Sequence, residues 1–186
     1  ILKESKKYNT MVTFINNGNT CYFNVLMQIL IFSRKYPQSG TQKNKLQTSW
    51  FYIINKLQKL KINTIYNPQL LFRLLKWDKF FIKGKKHDAH EAFLHLVDYI
   101  NYNDFKGKEI EFMNTADPPY EKNLRKININ SLEISVNHDN LNDCLQEYFK
   151  IESISDWKDS KNKKRVLQKT TRIYKAPLNL VILLRQ

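Results

Sequence analysis

The sequence predicts an α+β chain in which helices come first and strands follow. Three observations carry this reading. Apolar residues recur at helical spacing as far as Ile100, the spacing turns to alternation after Asn103, and turn residues such as Pro37, Gly40, Asp117-Pro118-Pro119 and Pro177 separate the runs. A chain of 186 residues suits one domain, or one domain with lobes, and can enclose a sizeable core.

Taken in order, residues 1–13 read as an approach segment, with Met11, Val12 and Thr13 leading into a turn. A first helix is expected over 21–35, stopped by Pro37 and Gly40, with Tyr22, Val25, Leu26, Ile29 and Leu30 on its buried stripe. A second, over 48–61, presents Trp50, Ile53, Ile54, Leu57 and Leu60. The third opens on Asn67 as N-cap with Pro68 at the first helical position, then turns Leu70, Leu71, Leu74 and Leu75 inward. Asp88 and Glu91 make a capping pair for a fourth helix, whose Phe93, Leu96, Val97 and Ile100 share one face.

Beyond Asn103, Ile110 and Phe112, then Ile127 and Ile129, then Leu132, Ile134 and Val136 alternate. The one-residue shift before the last group suggests a bulge. A short helix over 141–149 puts Leu141, Cys144, Leu145 and Tyr148 on one face, so Cys144 reads as core. Two strands separated by Pro177 complete the stretch from Arg165 to Gln186.

The formal charge is +14, but the lysines are spread through every segment, and the densest group, Lys158 to Arg165, reads as a solvated turn. The charge therefore does not point to nucleic acid as a partner. The apolar runs are short and broken by Lys, Arg or Asn, so no transmembrane span is expected, and ILKESKKYNT has no signal-peptide core. Two cysteines make no disulfide framework, and an intracellular location, cytoplasm or nucleus, is the expectation.

Chemistry concentrates in FINNGNTCYFNVLMQIL, residues 14–30. Gly18 permits a left-handed turn, Thr20 can cap the helix that follows, and Cys21 stands at that helix's start. The partial positive charge there favours an anion, the state in which sulfur is nucleophilic. Asn16, Asn17 and Asn19 supply side-chain N–H donors of the kind that hold an oxyanion. A cysteine at the edge of an apolar helix is equally a small buried hydrophobe, and residue physics alone leaves both readings open. His87, His90 and His95 invite a metal reading that their spacing opposes: His87 precedes the helix, and His90 and His95 point about 140° apart around it.

NNGNTCYFNVLMQIL resembles the cysteine box of the ubiquitin-specific proteases, N-L-G-N-T-C-Y-M-N-S followed by a leucine-rich helix. HDAHEAFL, residues 87–94, resembles their second box, Q-Q-D-A-H-E-F-L. NLNDCLQEYFKIESI and IYKAPLNLVILLRQ resemble the S-L-E-D-C-L-x-x-F and K-x-L-P-x-V-L-x-I-H-L-K-R-F stretches. The resemblance implies a papain-like α+β core with a helical thumb over 1–105, β-rich fingers over 106–175 and a palm sheet begun over 176–186. It implies Cys21 as nucleophile and Asn16 as oxyanion donor, with Asp88 and Glu91 facing the arginines of the ubiquitin tail. Those two carboxylates equally well only cap their helix. The implied reaction is hydrolysis of the bond after ubiquitin's terminal glycine, with ubiquitin or ubiquitinated proteins as partners and no cofactor.

Two departures qualify this. Many relatives hold zinc in the fingers with two C-x-x-C pairs, whereas here the places near Asn114 to Asn123 and Asp156 to Lys163 carry no cysteine, so no four-thiolate site is expected. A cysteine hydrolase also needs a general base. The family's histidine lies beyond the L-K-R-F strand, and no histidine follows His138 here. Either a longer polypeptide or another chain supplies it, or the protein is a ubiquitin-binding relative without catalysis. A protease for a ubiquitin-like modifier is a third reading. Retention of Asn16, Gly18, Thr20 and Cys21 together favours the first.

Overall fold

Helix gives way to strand where the periodicity changes. The computed structural model describes residues 12–32, 44–60, 64–118 and 120–185. The chain forms two units, Ile1–Asn101 and Tyr102–Gln186.

The first unit holds α1 (Cys21–Phe32), α2 (Lys45–Leu57), α3 (Gln69–Leu75) and α4 (Ala89–Ile100), with a two-residue parallel pair, β1 (Thr13–Phe14) and β2 (Ile65–Tyr66). Helix α1 buries Tyr22, Phe23, Leu26, Met27, Leu30 and Ile31, while Val25 and Ile29 are 51% and 49% exposed, which corrects the expected stripe. The helix is apolar almost all round, so its sequence does not choose a face. At about 100° per residue, packing Phe23 and Met27 turns Val25 and Ile29 outward. The expected continuation of α1 over 33–35, with Pro37 and Gly40, lies outside the described residues.

Helix α2 starts three residues earlier than the apolar pattern suggests, because Asn44 and Gln47 form a capping box: Gln47 N donates to Asn44 Oδ1 at 2.8 Å and Asn44 N to Gln47 Oε1 at 3.1 Å. Its core residues are Trp50, Phe51, Ile54 and Leu57, with Ile53 and Leu60 half-buried. At α3, Pro68 takes the cap position and Asn67 Oδ1 accepts from Gln69 N at 3.1 Å. Leu71 and Leu75 are buried, whereas Leu70 faces out. Helix α4 buries the expected Phe93, Leu96, Val97 and Ile100. Among the described residues no helix is long and apolar enough to cross a membrane.

The second unit is a four-stranded antiparallel sheet, order β4-β3-β7-β6, and a separate parallel pair, β5-β8. The strands are β3 (Gly107–Thr115), β4 (Lys122–Ile129), β5 (Leu132–Ser135), β6 (Glu152–Lys158), β7 (Lys164–Lys175) and β8 (Ile182–Arg185). The expected bulge between Ile129 and Leu132 is instead the point where the chain leaves one sheet for the other. The irregular registers fall at Lys108/Glu109 and Ile154/Trp157. A shift of alternation marks either event, and sequence alone does not separate them. Strand β6 carries no run of apolar alternation and was not expected. Helix α5 (Leu141–Tyr148), capped by Asn140, seats Cys144 against Leu132 and Ile134, with Cys144 4% exposed and Leu141 turned to solvent.

Two polar features of this unit carry pH predictions. Glu109, 6% exposed, accepts the Tyr148 hydroxyl at 2.9 Å, and burial pushes its carboxyl above the ordinary value. The folded state then binds a proton more tightly than the unfolded chain, so this group's contribution falls as pH rises past 4.5. Glu109→Gln keeps an acceptor for Tyr148 without the charge. It should raise the melting midpoint at pH 7 more than at pH 4, which melts across that range will show.

The turn after β6 works in the opposite sense. Asp159 Oδ1 accepts Lys163 N at 2.8 Å and Lys161 N at 3.0 Å, and Arg165 lies 3.7 Å from Oδ2. The Lys163 amide first, then the Lys161 amide and the Arg165 guanidinium, hold this carboxyl below its usual range. A depressed carboxyl adds stability above the unfolded value and loses it in acid. Asp159→Asn should therefore lower the midpoint near neutrality and leave it unchanged below the ordinary Asp range. Ser160 Oγ donates to Glu121 Oε1 at 2.7 Å and Arg165 reaches the Asp117 carbonyl, so side-chain hydrogen bonds join the two turns. Among the described residues no group of three or more His, Cys, Asp or Glu is placed to hold a metal.

Candidate active site

The site is built from the turn that leads into α1. Gly18 and Asn19 both adopt left-handed backbone, with φ of 84° and 55°, which reverses the chain just before Thr20. Thr20 does not spend its hydroxyl on the first turn of α1, as a simple N-cap would. Its Oγ1 accepts from Asn17 N at 3.1 Å and donates to Asn16 Oδ1 at 3.2 Å, while Thr20 N donates to the same Oδ1 at 3.0 Å. The oxygen end of the Asn16 amide is thus held by Thr20, which commits its Nδ2 donors to the other side. Cys21 follows as the first residue of α1 and is exposed.

Anchors fix this turn to the rest of the unit. Thr13 N donates to Thr64 O at 2.9 Å and Ile15 N to Tyr66 O at 3.0 Å, so β2 holds the chain immediately before Asn16. Asn17 Nδ2 donates to Asn67 Oδ1 at 3.1 Å. From α1 itself, Asn24 Nδ2 donates to Phe14 O at 3.3 Å and Gln28 Nε2 donates to Val12 O. Half-buried Gln28 is a signal in the sequence that something polar must meet it, and Val12 O does. Below the turn, Trp77 Nε1 donates to Tyr22 Oη at 3.0 Å and its ring stacks on Phe81 at 4.5 Å.

The two sequence boxes meet here. The Tyr22 ring, one residue after Cys21, touches the His87 ring, one residue before Asp88, at 5.3 Å and 66°. Asn19 Nδ2 donates to Gly84 O at 2.7 Å, and α1 packs on α4. Asp88 caps α4 through one oxygen, Oδ1, which accepts from His90 N at 2.8 Å and Glu91 N at 2.9 Å. Asp88 and Glu91 are both exposed. All four expected site residues, Asn16, Cys21, Asp88 and Glu91, therefore lie in the first unit.

The histidines have other engagements. His87 Nε2 lies 3.2 Å from Ile82 O, and His90 stacks on Phe93 at 6.5 Å. His95 sits among Trp77, Phe80, Phe81 and Tyr99, where burial lowers its affinity for a proton. In the second unit the His138 carbonyl accepts from Cys144 Sγ at 3.7 Å. The arrangement places an exposed thiol at the start of α1, an amide clamped by Thr20 in the turn before it, and carboxylates at the start of α4.

Residues 12–186 match the family model described as ubiquitin carboxyl-terminal hydrolase. The chain belongs to the ubiquitin carboxyl-terminal hydrolase family. It is 30% identical over 100 residues to ubiquitin carboxyl-terminal hydrolase 46 of Caenorhabditis elegans, a stretch covering 47% of this chain and 24% of that protein. Over 95 residues it is 30% identical to ubiquitin carboxyl-terminal hydrolase 12 of Salmo salar, covering 46% of this chain and 26% of the relative. The matches thus span about a quarter of the length of these two hydrolases. A SAGA DUB module containing Ubp8, bound to monoubiquitin, matches all of this chain with half of its own at a TM-score of 0.69 and 16% identity. That likeness shows the fold, and this ubiquitin carboxyl-terminal hydrolase relative is α+β of the papain-like type.

Proposed function

We propose that this chain carries the nucleophile of a deubiquitinating cysteine hydrolase, which cleaves the isopeptide or peptide bond after the C-terminal glycine of ubiquitin. The observation that supports it most is the clamp on Asn16: Thr20 holds its amide oxygen through two hydrogen bonds, one residue ahead of an exposed Cys21. An amide held in the turn that leads into a nucleophile can donate its N–H to an oxyanion.

In this reading the Cys21 thiolate attacks the glycine carbonyl, and negative charge gathers on its oxygen, where Asn16 Nδ2 donates. The C–N bond breaks, the lysine amine leaves with a proton, and water then releases ubiquitin from the thioester. The proton is carried by a histidine acting as general base, oriented by Asn or Asp. Among the described residues Asp88 Oδ2 and the Glu91 carboxylate accept no hydrogen bond, which leaves them for the arginines of the incoming tail. Residues 1–105 would serve as thumb, 106–175 as fingers and 176–186 as the first strand of a palm. Two free cysteines suit an intracellular protein of the cytoplasm or nucleus.

Asn16→Ala should lower kcat by about 100- to 1000-fold with KM little changed, because the donor acts on the oxyanion and not on the bound ground state. Cleavage of a fluorogenic ubiquitin amide by the complete gene product measures it. The contact of His87 Nε2 with Ile82 O and the burial of His95 among aromatic rings favour one other reading, recognition of ubiquitin without cleavage. Ubiquitin ending in a vinyl sulfone separates the two. An adduct mapped to Cys21 supports the hydrolase, and tight binding of ubiquitin with no adduct overturns it.

A further inference from the structure

Asn17 and Gly18 form the only Asn-Gly pair in the sequence, and they stand inside the turn that leads into Cys21. The usual cysteine box, N-L-G-N-T-C, has leucine where this chain has Asn17, so the pair is a departure of this chain's own. An asparagine side chain and the following amide nitrogen can close a five-membered ring when that nitrogen is free to lose its proton and to approach unhindered. Both conditions hold here. Gly18 brings no side chain, and a Cβ built on it would meet nothing within 4 Å. Its N–H donates to no acceptor among the described residues, whereas Asn17 N is bonded to Thr20 Oγ1 and Thr20 N to Asn16 Oδ1. The Asn17 side chain is restrained by an exposed hydrogen bond, from Nδ2 to Asn67 Oδ1 at 3.1 Å.

We propose that Asn17 is a site of spontaneous modification, and that its conversion to aspartate or isoaspartate releases the clamp on Asn16. The Gly18 nitrogen gives its proton to solvent base and attacks Asn17 Cγ. The Cγ–Nδ2 bond then breaks, ammonia leaves, and a succinimide joins positions 17 and 18. Water opens that ring at either carbonyl: attack at Cγ gives aspartate, and attack at the main-chain carbon gives isoaspartate. Both products disturb the turn. Isoaspartate routes the main chain through the side-chain carbons and lengthens it by a methylene, so left-handed Gly18 and Asn19 no longer return Thr20 to Asn16. Aspartate sets a carboxylate oxygen where Nδ2 had faced Asn67 Oδ1, and two acceptors repel. Asn67 Oδ1 cannot turn away without releasing Gln69 N, which it accepts at 3.1 Å at the start of α3. The chemistry at Asn17 stands by itself, whereas its effect on turnover rests on the hydrolase reading, in which Asn16 holds the oxyanion.

The test is to incubate the folded chain in warm, mildly alkaline buffer and to follow every asparagine by peptide mapping, with fragmentation that separates isoaspartate from aspartate. Position 17 should convert at least about tenfold faster than any other asparagine, a barrier lower by about 1.4 kcal/mol, and should yield both products. Hydrogen exchange of the Thr20 amide, which donates to Asn16 Oδ1, should quicken in the converted fraction. It should hold steady over the same time in Asn17→Leu, which cannot form the ring. Conversion spread evenly over the asparagines overturns the site. So does an Asn17 that persists in the folded chain under conditions that convert it in the urea-unfolded chain, because the turn then shields the pair. Conversion with unchanged Thr20 exchange overturns the effect on the clamp. Neither readout uses ubiquitin, so these failures are distinct from failure to form a ubiquitin adduct.

Discussion

Replacing Cys21 by alanine should reduce hydrolysis of a ubiquitin amide by at least about 10⁴-fold in kcat/KM, the scale seen when a covalent nucleophile is removed. The loss should come without loss of fold. Cys21 is exposed, it opens α1, and alanine is a good helix residue, so unfolding free energy should stay within about 0.5 kcal/mol of the parent. Cys144→Ala is the informative contrast, because that side chain is 4% exposed and packs on Leu132 and Ile134. It should leave turnover unchanged and cost stability. A variant series in which both cysteines lowered turnover equally would contradict the assignment.

The second large effect is structural. Trp77→Ala should cost about 3–5 kcal/mol in urea unfolding, the range for removing a large buried aromatic. Trp77 is 2% exposed, stacks on Phe81, meets Phe23 edge-on at 4.9 Å and gives Tyr22 its hydroxyl partner. Trp77→Phe retains most of the packing but leaves Tyr22 Oη without its donor, and should cost about 1–3 kcal/mol. Since Tyr22 adjoins Cys21, both substitutions should also slow labelling by the ubiquitin vinyl sulfone. Unchanged labelling with the stability lost would mean that this cluster supports the unit and not the turn.

Some of this architecture is plain in the residues. The Asp88 cap and the spacing of Phe93, Leu96, Val97 and Ile100 specify α4, because a polar cap and a single apolar stripe point to the same helix. Helix α1 is the reverse case. With apolar side chains on nearly every side, the buried face was settled by contacts of Phe23 with Phe72 and Trp77, partners about fifty residues away. Strand β6 is not legible in the sequence because its pattern, ESISDWK, is mostly polar and its pairing with β7 is interrupted between Ile154 and Trp157. The turn before Cys21 was legible as a turn from Gly18. The division of labour in it was not, since whether Thr20 caps forward or clamps backward depends on backbone angles that several sequences share.

The contrast between the two sulfur atoms has a practical corollary. The sequence contains two cysteines, one open to solvent and one enclosed by Leu132 and Ile134 in the second unit. A thiol-reactive dye should consume one equivalent while that unit is intact and two once it opens. The chain thus holds its own reporter: the delay before the second equivalent times the opening of the strand-rich half, independently of anything that happens at the first.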